Sequence, residues 1–139
     1  DRKRYHRFDD CRTVVFCASL LNYSEHHPHD ESTNAMHEAL NVFEAMVNHR
    51  VFLRKDFCLV FVDHEEFAER IKSERISIKE CFPDYAGDDL NVEDSVDFIK
   101  DKFLAAQRDS YDREPVSYFV WGGESDAFKK VAYRIEERT

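Results

Sequence analysis

A run rich in histidine and acid is the part of the chain whose side chains most suggest chemistry. Residues 26–31 read His-His-Pro-His-Asp-Glu, and imidazole and carboxylate groups are common metal ligands. Their spacing fits neither a helix nor a strand. We therefore interpret the run as a solvated loop, with adventitious metal affinity as the alternative. No nucleophile–base pairing can be read elsewhere, so we predict no catalytic residue and no metal ligand.

The four cysteines lie far apart and show no C-x-x-C spacing. This spacing argues against zinc or redox chemistry. Cys17 and Cys58 stand inside apolar runs, so we expect both thiols to be buried. Reduced, buried thiols are typical of a cytosolic protein.

Size and charge limit the classes of function. With 139 residues the chain has the size of one domain and can bury a real core. The net charge of −9 disfavours nonspecific binding to nucleic acid or to an anionic membrane surface. No apolar run approaches the roughly 20 residues needed to span a bilayer, and no signal-peptide pattern opens the chain. We expect no transmembrane segment and no nucleic-acid partner.

Three short apolar runs predict β-strands at residues 13–18, 57–62 and 116–121. The first two are nearly continuous and rich in β-branched and aromatic residues, as in parallel strands covered on both faces. Long helical stretches between them predict an α/β fold, with a mainly parallel sheet flanked by helices. Three strands leave one sheet edge open, which suggests a fragment of a larger α/β domain or a divergent minimal version.

Apolar residues at spacings of three and four predict the helices. Ser32 or Thr33 is the expected N-cap of the first helix, and Asn91 that of a later one. A short helix is expected over residues 65–72. The apolar stripes of the other helices are Met36, Leu40, Phe43 and Val47, then Val92, Val96, Ile99 and Phe103, and finally Phe128, Val131 and Ile135.

Three motifs in register resemble one family. Residues 81–87 read C-F-P-D-Y-A-G, which resembles the C-[YF]-P-[ED]-Y-x-G signature of heterotrimeric G-protein α subunits. Residues 33–40 are similar to the family's T-N-R-M-x-E-S-L. Residues 2–8 resemble the R-K-K-W-x-x-x-F run that ends its second switch helix. The resemblance implies that residues 1–139 form the C-terminal part of a three-layer, P-loop GTPase-like fold.

The resemblance also implies a guanine nucleotide, GTP or GDP, as the ligand of the parent protein. No phosphate-binding G-x-x-x-x-G-K-[ST] occurs in these residues. By the resemblance, that loop, the Mg²⁺ ligands and the catalytic groups lie before residue 1. We therefore expect this chain alone not to hydrolyse GTP.

Two loops read the guanine base in the family. At the place of its N-K-x-D motif, Asp63 lacks the amide donor of asparagine, His64 lacks the long stem of lysine, and Glu66 is an acceptor for the base. At the place of T-C-A-T, Trp121 is bulky, and the backbone N–H of Gly122 is the surviving donor. Each unpaired buried polar group costs about 1–3 kcal/mol. We predict weakened or absent guanine binding.

The implied partners are a βγ dimer, a seven-helix receptor and an effector protein, at the cytoplasmic, inner face of the plasma membrane. The resemblance assigns the βγ contact to Lys3, Arg4, Tyr5 and Phe8. It assigns Glu38 to a pairing with switch arginines in the GTP-bound state.

Two classes of function stay open. One is a nucleotide-switched signalling GTPase. The other is a nucleotide-independent pseudo-GTPase, a binding module or scaffold for βγ or effector. An unrelated enzyme on a doubly wound sheet has little support. An intact phosphate loop before residue 1 would favour the first class.

Overall fold

The computed structural model describes residues 13–27, 30–52, 55–108 and 116–120. Within these ranges the chain forms strands, α-helices and short 3₁₀ turns. The strands are β1 (Thr13–Ser19), β2 (His26–His27), β3 (Asp30–Asn34), β4 (Asp56–Val62) and β5 (Ser117–Val120). The helices are α1 (Ala35–Val47), α2 (His64–Lys72) and α3 (Val92–Ala105), and the 3₁₀ turns are Leu20–Ser24, Arg50–Phe52 and Ile78–Glu80.

The main sheet is parallel throughout its described strands, in the order β1-β4-β5. β1 runs alongside β4 from Thr13 opposite Asp56 to Ser19 opposite Val62. α1 lies in the connection between these two strands, and α2 and α3 lie in the connection from β4 to β5. The predicted α/β fold, a parallel sheet flanked by helices, is therefore confirmed.

β4 is the central strand and is buried on both faces. Phe57, Leu59 and Phe61 point to one face, while Val60 and Val62 point to the other. Side chains alternate between the two faces of a strand, so a continuous apolar run needs cover on both. The predicted burial of this run is confirmed.

β1 is less covered than predicted, and the expectation for Cys17 is wrong. Val14 and Ala18 are buried, whereas Cys17 is exposed. Cys17 lies on the face opposite Val14 and Ala18 because successive side chains alternate. Cys58 of the central strand is half-buried, and burial raises the pKa of its thiol.

The first helix is capped by a residue other than the two predicted. Asn34 Oδ1 accepts the backbone N–H of Met36 at 2.8 Å and that of His37 at 3.1 Å. β3 ends at Asn34 and the helix begins at Ala35, so Asn34 stands at the N-cap position, and Ser32 and Thr33 lie too early in the chain. Asn91 caps α3 as predicted, accepting the N–H of Asp94 at 3.0 Å.

The histidine-rich run takes part in a small hairpin that the sequence did not predict. β2 pairs antiparallel with β3, His26 opposite Asn34, with an irregular register between His26 and His27. The N–H of Ala35 also donates to the carbonyl of Glu25 at 2.8 Å. Backbone hydrogen bonds hold these polar strands together. Their sequences show no alternation of apolar and polar residues from which the strands could have been predicted.

Phe43 of α1 lies at the centre of the core and is fully buried. Its ring centroid lies 5.2 Å from that of Phe16, 6.3 Å from that of Phe57 and 5.6 Å from that of Phe103. The contacts with Phe16 and Phe57 are edge-on and that with Phe103 is tilted, and aromatic contacts of this kind stabilise the core beyond the burial of apolar area. The predicted stripes on α1 and α3 are buried except for Leu40, which is partly buried. The stripe at Phe128, Val131 and Ile135 lies outside the described residues.

Candidate functional site

The carboxyl ends of β1, β4 and β5 meet at one edge of the sheet. Parallel pairing sets Ser19 opposite Val62 and Val120 opposite Phe61. In open α/β sheets, ligands bind outside the carboxyl ends of the strands. Asp63 follows the end of β4 directly and so lies at this edge.

Asp63 has an unusual backbone and a specific partner. Its φ of 65° and ψ of 33° are left-handed, a conformation that aspartate tolerates better than most residues. Its side chain makes no capping bond to α2, although it stands at the N-cap position. Instead, Ser19 Oγ donates a hydrogen bond to Asp63 Oδ2 at 2.7 Å. This bond joins the ends of β1 and β4.

His64 and Glu66 occupy the first turn of α2, beside Asp63. His64 is half-buried, and Glu66 and its neighbour Glu65 are exposed. Acidic side chains in a first turn face the positive end of the helix dipole. The three predicted base-reading residues of this loop therefore lie together at the carboxyl edge.

Contacts from the 3₁₀ turn after β1 hold α2 in place. Arg70 Nη1 donates to Ser24 Oγ at 2.6 Å and lies 3.4 Å from the carbonyl oxygen of Leu21. The ring of Tyr23 packs edge-on against Phe67 at 5.2 Å between centroids. Burial raises the pKa of Tyr23 to about 12. Asp63 is therefore held by Ser19, and the helix that follows it is held by the 3₁₀ turn after β1.

The turn at residues 81–87 packs away from this loop, between α1 and α3. Phe82 and Tyr85 are buried, with ring centroids 5.8 and 5.2 Å from that of Phe98. His37 Nε2 lies 2.6 Å from the carbonyl oxygen of Cys81. A carbonyl only accepts, so His37 carries its donating proton on Nε2. The turn therefore packs α1 and α3 together.

Of the other residues predicted to bind nucleotide or partners, the structure describes only Glu38. Glu38 is exposed in the first turn of α1 and, among the described residues, has no ion-pair partner. Trp121 and Gly122 lie outside the described residues. So does the predicted βγ contact, which comprises Lys3, Arg4, Tyr5 and Phe8.

Sequence reasoning did not find Ser19. Its only signal is a polar side chain at the last position of an apolar strand. In a parallel sheet that position faces the loop after the neighbouring strand.

In the described part of the chain, no three His, Cys, Asp or Glu side chains come close enough together to hold a metal ion. Among the same residues, no helix has the length and apolar character needed to cross a bilayer.

Two comparisons with known proteins bear on this site. The family model for the G-protein alpha subunit matches residues 1–138. The chain is also 36% identical over 109 residues to the guanine nucleotide-binding protein alpha-3 subunit of Dictyostelium discoideum. That match covers 78% of this chain and 19% of the relative, so the chain spans about a fifth of the relative's length.

Proposed function

Because this chain belongs to the G-protein alpha subunit family, we propose that it is part of a guanine nucleotide-binding signal transducer. The family match over residues 1–138 carries this proposal. The parallel sheet supports it, because the loop at Asp63 lies at the edge where such sheets bind ligands. Residues 1–139 would then be the C-terminal part of a Ras-like domain.

Base recognition is assigned to the two loops that follow β4 and β5. The carboxylate of Glu66 accepts hydrogen bonds from the N1 and N2 groups of guanine, and His64 packs beside the base. The Trp121–Gly122 segment supplies the second loop. A carboxylate at Asp63 offers no donor, so we expect binding of GTP and GDP to be weaker than an amide there would give.

The partners of the whole protein are a βγ dimer, a seven-helix receptor and an effector, at the inner face of the plasma membrane. Lys3, Arg4, Tyr5 and Phe8 are the proposed βγ contact, with Tyr5 as the aromatic anchor. The exposure of Glu38 is consistent with pairing to arginines of an upstream switch segment. No catalytic role is assigned to residues 1–139.

A pseudo-GTPase scaffold is the second candidate, and one observation favours it. The carboxylate of Asp63 is already engaged by Ser19 at 2.7 Å, so this loop has an internal structural role without a ligand. In that case the fold would hold βγ or effector without any nucleotide.

Calorimetric titration of the full-length protein with a non-hydrolysable GTP analogue tests the proposal. We expect micromolar or tighter binding. Glu66→Gln should weaken it about tenfold, because the lost acceptor leaves base donors unpaired. Glu65→Gln is the matched control, since it removes a neighbouring exposed carboxylate from the same helical turn.

Two results would contradict the proposal, the first for nucleotide binding itself and the second for the role of Glu66. No heat of binding, with βγ association retained, would establish the scaffold instead. Equal effects of Glu66→Gln and Glu65→Gln would remove Glu66 from the base-reading role.

A further inference from the structure

We propose that Ser73 is a phosphorylation site for an arginine-directed protein kinase, and that a phosphate there loosens the end of α2. Ser73 follows directly after Lys72, the last residue of that helix. Neither the motifs nor the family match assigns a role to it. The inference goes beyond the proposed function and does not depend on nucleotide binding.

The charges before Ser73 are those that an acidic kinase cleft selects. Arg70 stands three positions before the hydroxyl, and Lys72 stands one position before it. Charge patterns of this kind distinguish the substrates of one kinase from those of another. Among the serines and threonines that the structure describes, Ser73 alone has lysine or arginine at the third preceding position. An acidic substrate cleft would therefore select this hydroxyl over the others described.

The Ser73 hydroxyl is available for modification. Residues 72–75 are all exposed, and within the described part of the chain the Ser73 side chain makes no hydrogen bond. Ser77 differs, because its Oγ donates to Asp89 Oδ1 at 2.9 Å and accepts the N–H of Lys79 at 3.1 Å. The nearby serine that is held in place is thus a matched control for the one that is free.

The backbone around Ser73 can open to the extended form that a kinase cleft binds. Residues 75–77 form neither helix nor strand, and Arg75 has a left-handed φ of 57°. This conformation is unfavourable for a residue with a Cβ, so local opening releases strain. Opening breaks the bonds that the N–H groups of Ser73 and Glu74 donate to the Glu69 carbonyl, at 2.7 and 3.4 Å. Such bonds at a helix end open at low cost in free energy.

The reaction is an ordinary phosphoryl transfer from ATP. A base of the kinase takes the proton of the Ser73 hydroxyl while its Oγ attacks the γ-phosphorus. The bond from that phosphorus to the bridging oxygen breaks, and ADP leaves with the electron pair. The new phosphoserine carries a charge of about −1.5 to −2 at neutral pH.

A phosphate at residue 73 would lie in an unfavourable electrostatic environment. The C-terminal end of a helix carries the negative end of its dipole. Glu69 lies one helical turn before the phosphate, and Glu74 directly follows it. A phosphate placed at such an end, beside carboxylates, disrupts the local structure.

Arg70 is the cation on the same helical face, three positions before Ser73. However, its Nη1 already donates to Ser24 Oγ at 2.6 Å. If Arg70 keeps that bond, the phosphate stays unpaired beside the carboxylates. If Arg70 turns to the phosphate, α2 loses its bond to the 3₁₀ turn after β1. Both arrangements loosen the end of α2.

Incubation of the full-length protein with ATP and calmodulin-dependent protein kinase II, an arginine-directed kinase, tests the site. Peptide mass spectrometry locates the phosphate, which we expect on Ser73 in the natural protein and equally in Ser77→Ala. Arg70→Gln should lower the labelling of Ser73 about tenfold, and Arg70→Lys should keep most of it. Arg70→Gln also frees the end of α2 from Ser24, so a fall in labelling reports lost recognition and not lost access.

Hydrogen exchange measured by mass spectrometry tests the consequence. In the phosphorylated protein the N–H groups of Ser73 and Glu74 should exchange about tenfold faster, with α1 unchanged. Unchanged exchange at the end of α2 would overturn the loosening.

Two further outcomes would overturn the site itself. The first is absence of phosphate from residue 73 of the folded protein, and labelling of a peptide of residues 66–79 would then show that the fold shields the serine. The second is equal labelling of the natural protein and Arg70→Gln. None of these readouts involves a guanine nucleotide, so they leave the proposed function intact.

Discussion

The side-chain oxygen of Asn34 lies 3.4 Å from the Cys81 thiol, which donates to it and joins the start of α1 to the turn at residues 81–87. The same oxygen caps α1 through the N–H groups of Met36 and His37. The amide nitrogen donates to the Tyr23 carbonyl at 2.7 Å. One amide thus orders three segments that are distant in sequence.

Replacing Asn34 with alanine should lower the free energy of unfolding by about 2 kcal/mol or more, because the helix cap and two tertiary bonds are lost together. Urea denaturation of the purified chain measures this change. Asn41→Ala is the matched control, since Asn41 is an exposed position in the same helix. A loss for Asn34→Ala no larger than the control's would contradict this role.

Gly87→Ala should destabilise the protein by about 1–3 kcal/mol through overpacking. A Cβ at this position would lie 2.5 Å from the Tyr85 hydroxyl oxygen and 2.6 Å from its Cζ. The ring cannot move easily, because it packs on Phe98 and its hydroxyl donates to the Asp88 carbonyl at 2.9 Å. Thermal denaturation compares this variant with Ala86→Ser, an exposed neighbour in the same turn. Equal melting temperatures would show that the turn has room for a methyl group.

Phe43→Ala should lower the free energy of unfolding by about 3–5 kcal/mol, because it leaves a cavity at the centre of the aromatic cluster. Val42→Ala should cost far less, since Val42 is 47% exposed on the other side of α1. Both values come from denaturant titration of variants made in the same background. Similar losses at the two positions would contradict the packing described for α1.

Stability should fall at alkaline pH in a way that depends on Cys81. Burial raises the pKa of its thiol from 9.0 to about 12. The unfolded chain therefore loses this proton first, so the contribution is fully present below pH 9 and is lost as the pH rises toward 12. Unfolding free energies at pH 8 and pH 10.5 should differ less in Cys81→Ser than in the natural chain. Tyr23 contributes in the same direction and stays in both proteins. Parallel curves for the two proteins would rule out the thiol as a cause.

Periodicity and motifs predicted the parts of the fold that are fixed by local pattern. The apolar run of β4 and the stripe of α3 correspond directly to buried side chains, because regular spacing brings them to one face or encloses them on both. The loop residues Asp63, His64 and Glu66 were predicted by resemblance, and the structure shows where that loop lies.

Features that depend on tertiary contact could not be predicted. Three residue types that can cap a helix stand in succession at Ser32, Thr33 and Asn34, and the point at which β3 ends and α1 begins decides among them. The apolar neighbours of Cys17 do not show which face of β1 is covered. The Ser19–Asp63 hydrogen bond joins residues 44 positions apart in sequence, so no local pattern predicts it.

The parallel order β1-β4-β5 also bears on how the chain reaches its native state. Every pairing of the central strand joins residues far apart in sequence, with α1 or both α2 and α3 in between. Such long-range pairing is slow, whereas helices form locally within microseconds. Until β1 and β5 pair with it, β4 has unpaired backbone N–H and C=O groups along both edges. Its residues 57–62 are also all uncharged. We expect the centre of the finished sheet to be the segment that drives aggregation during folding.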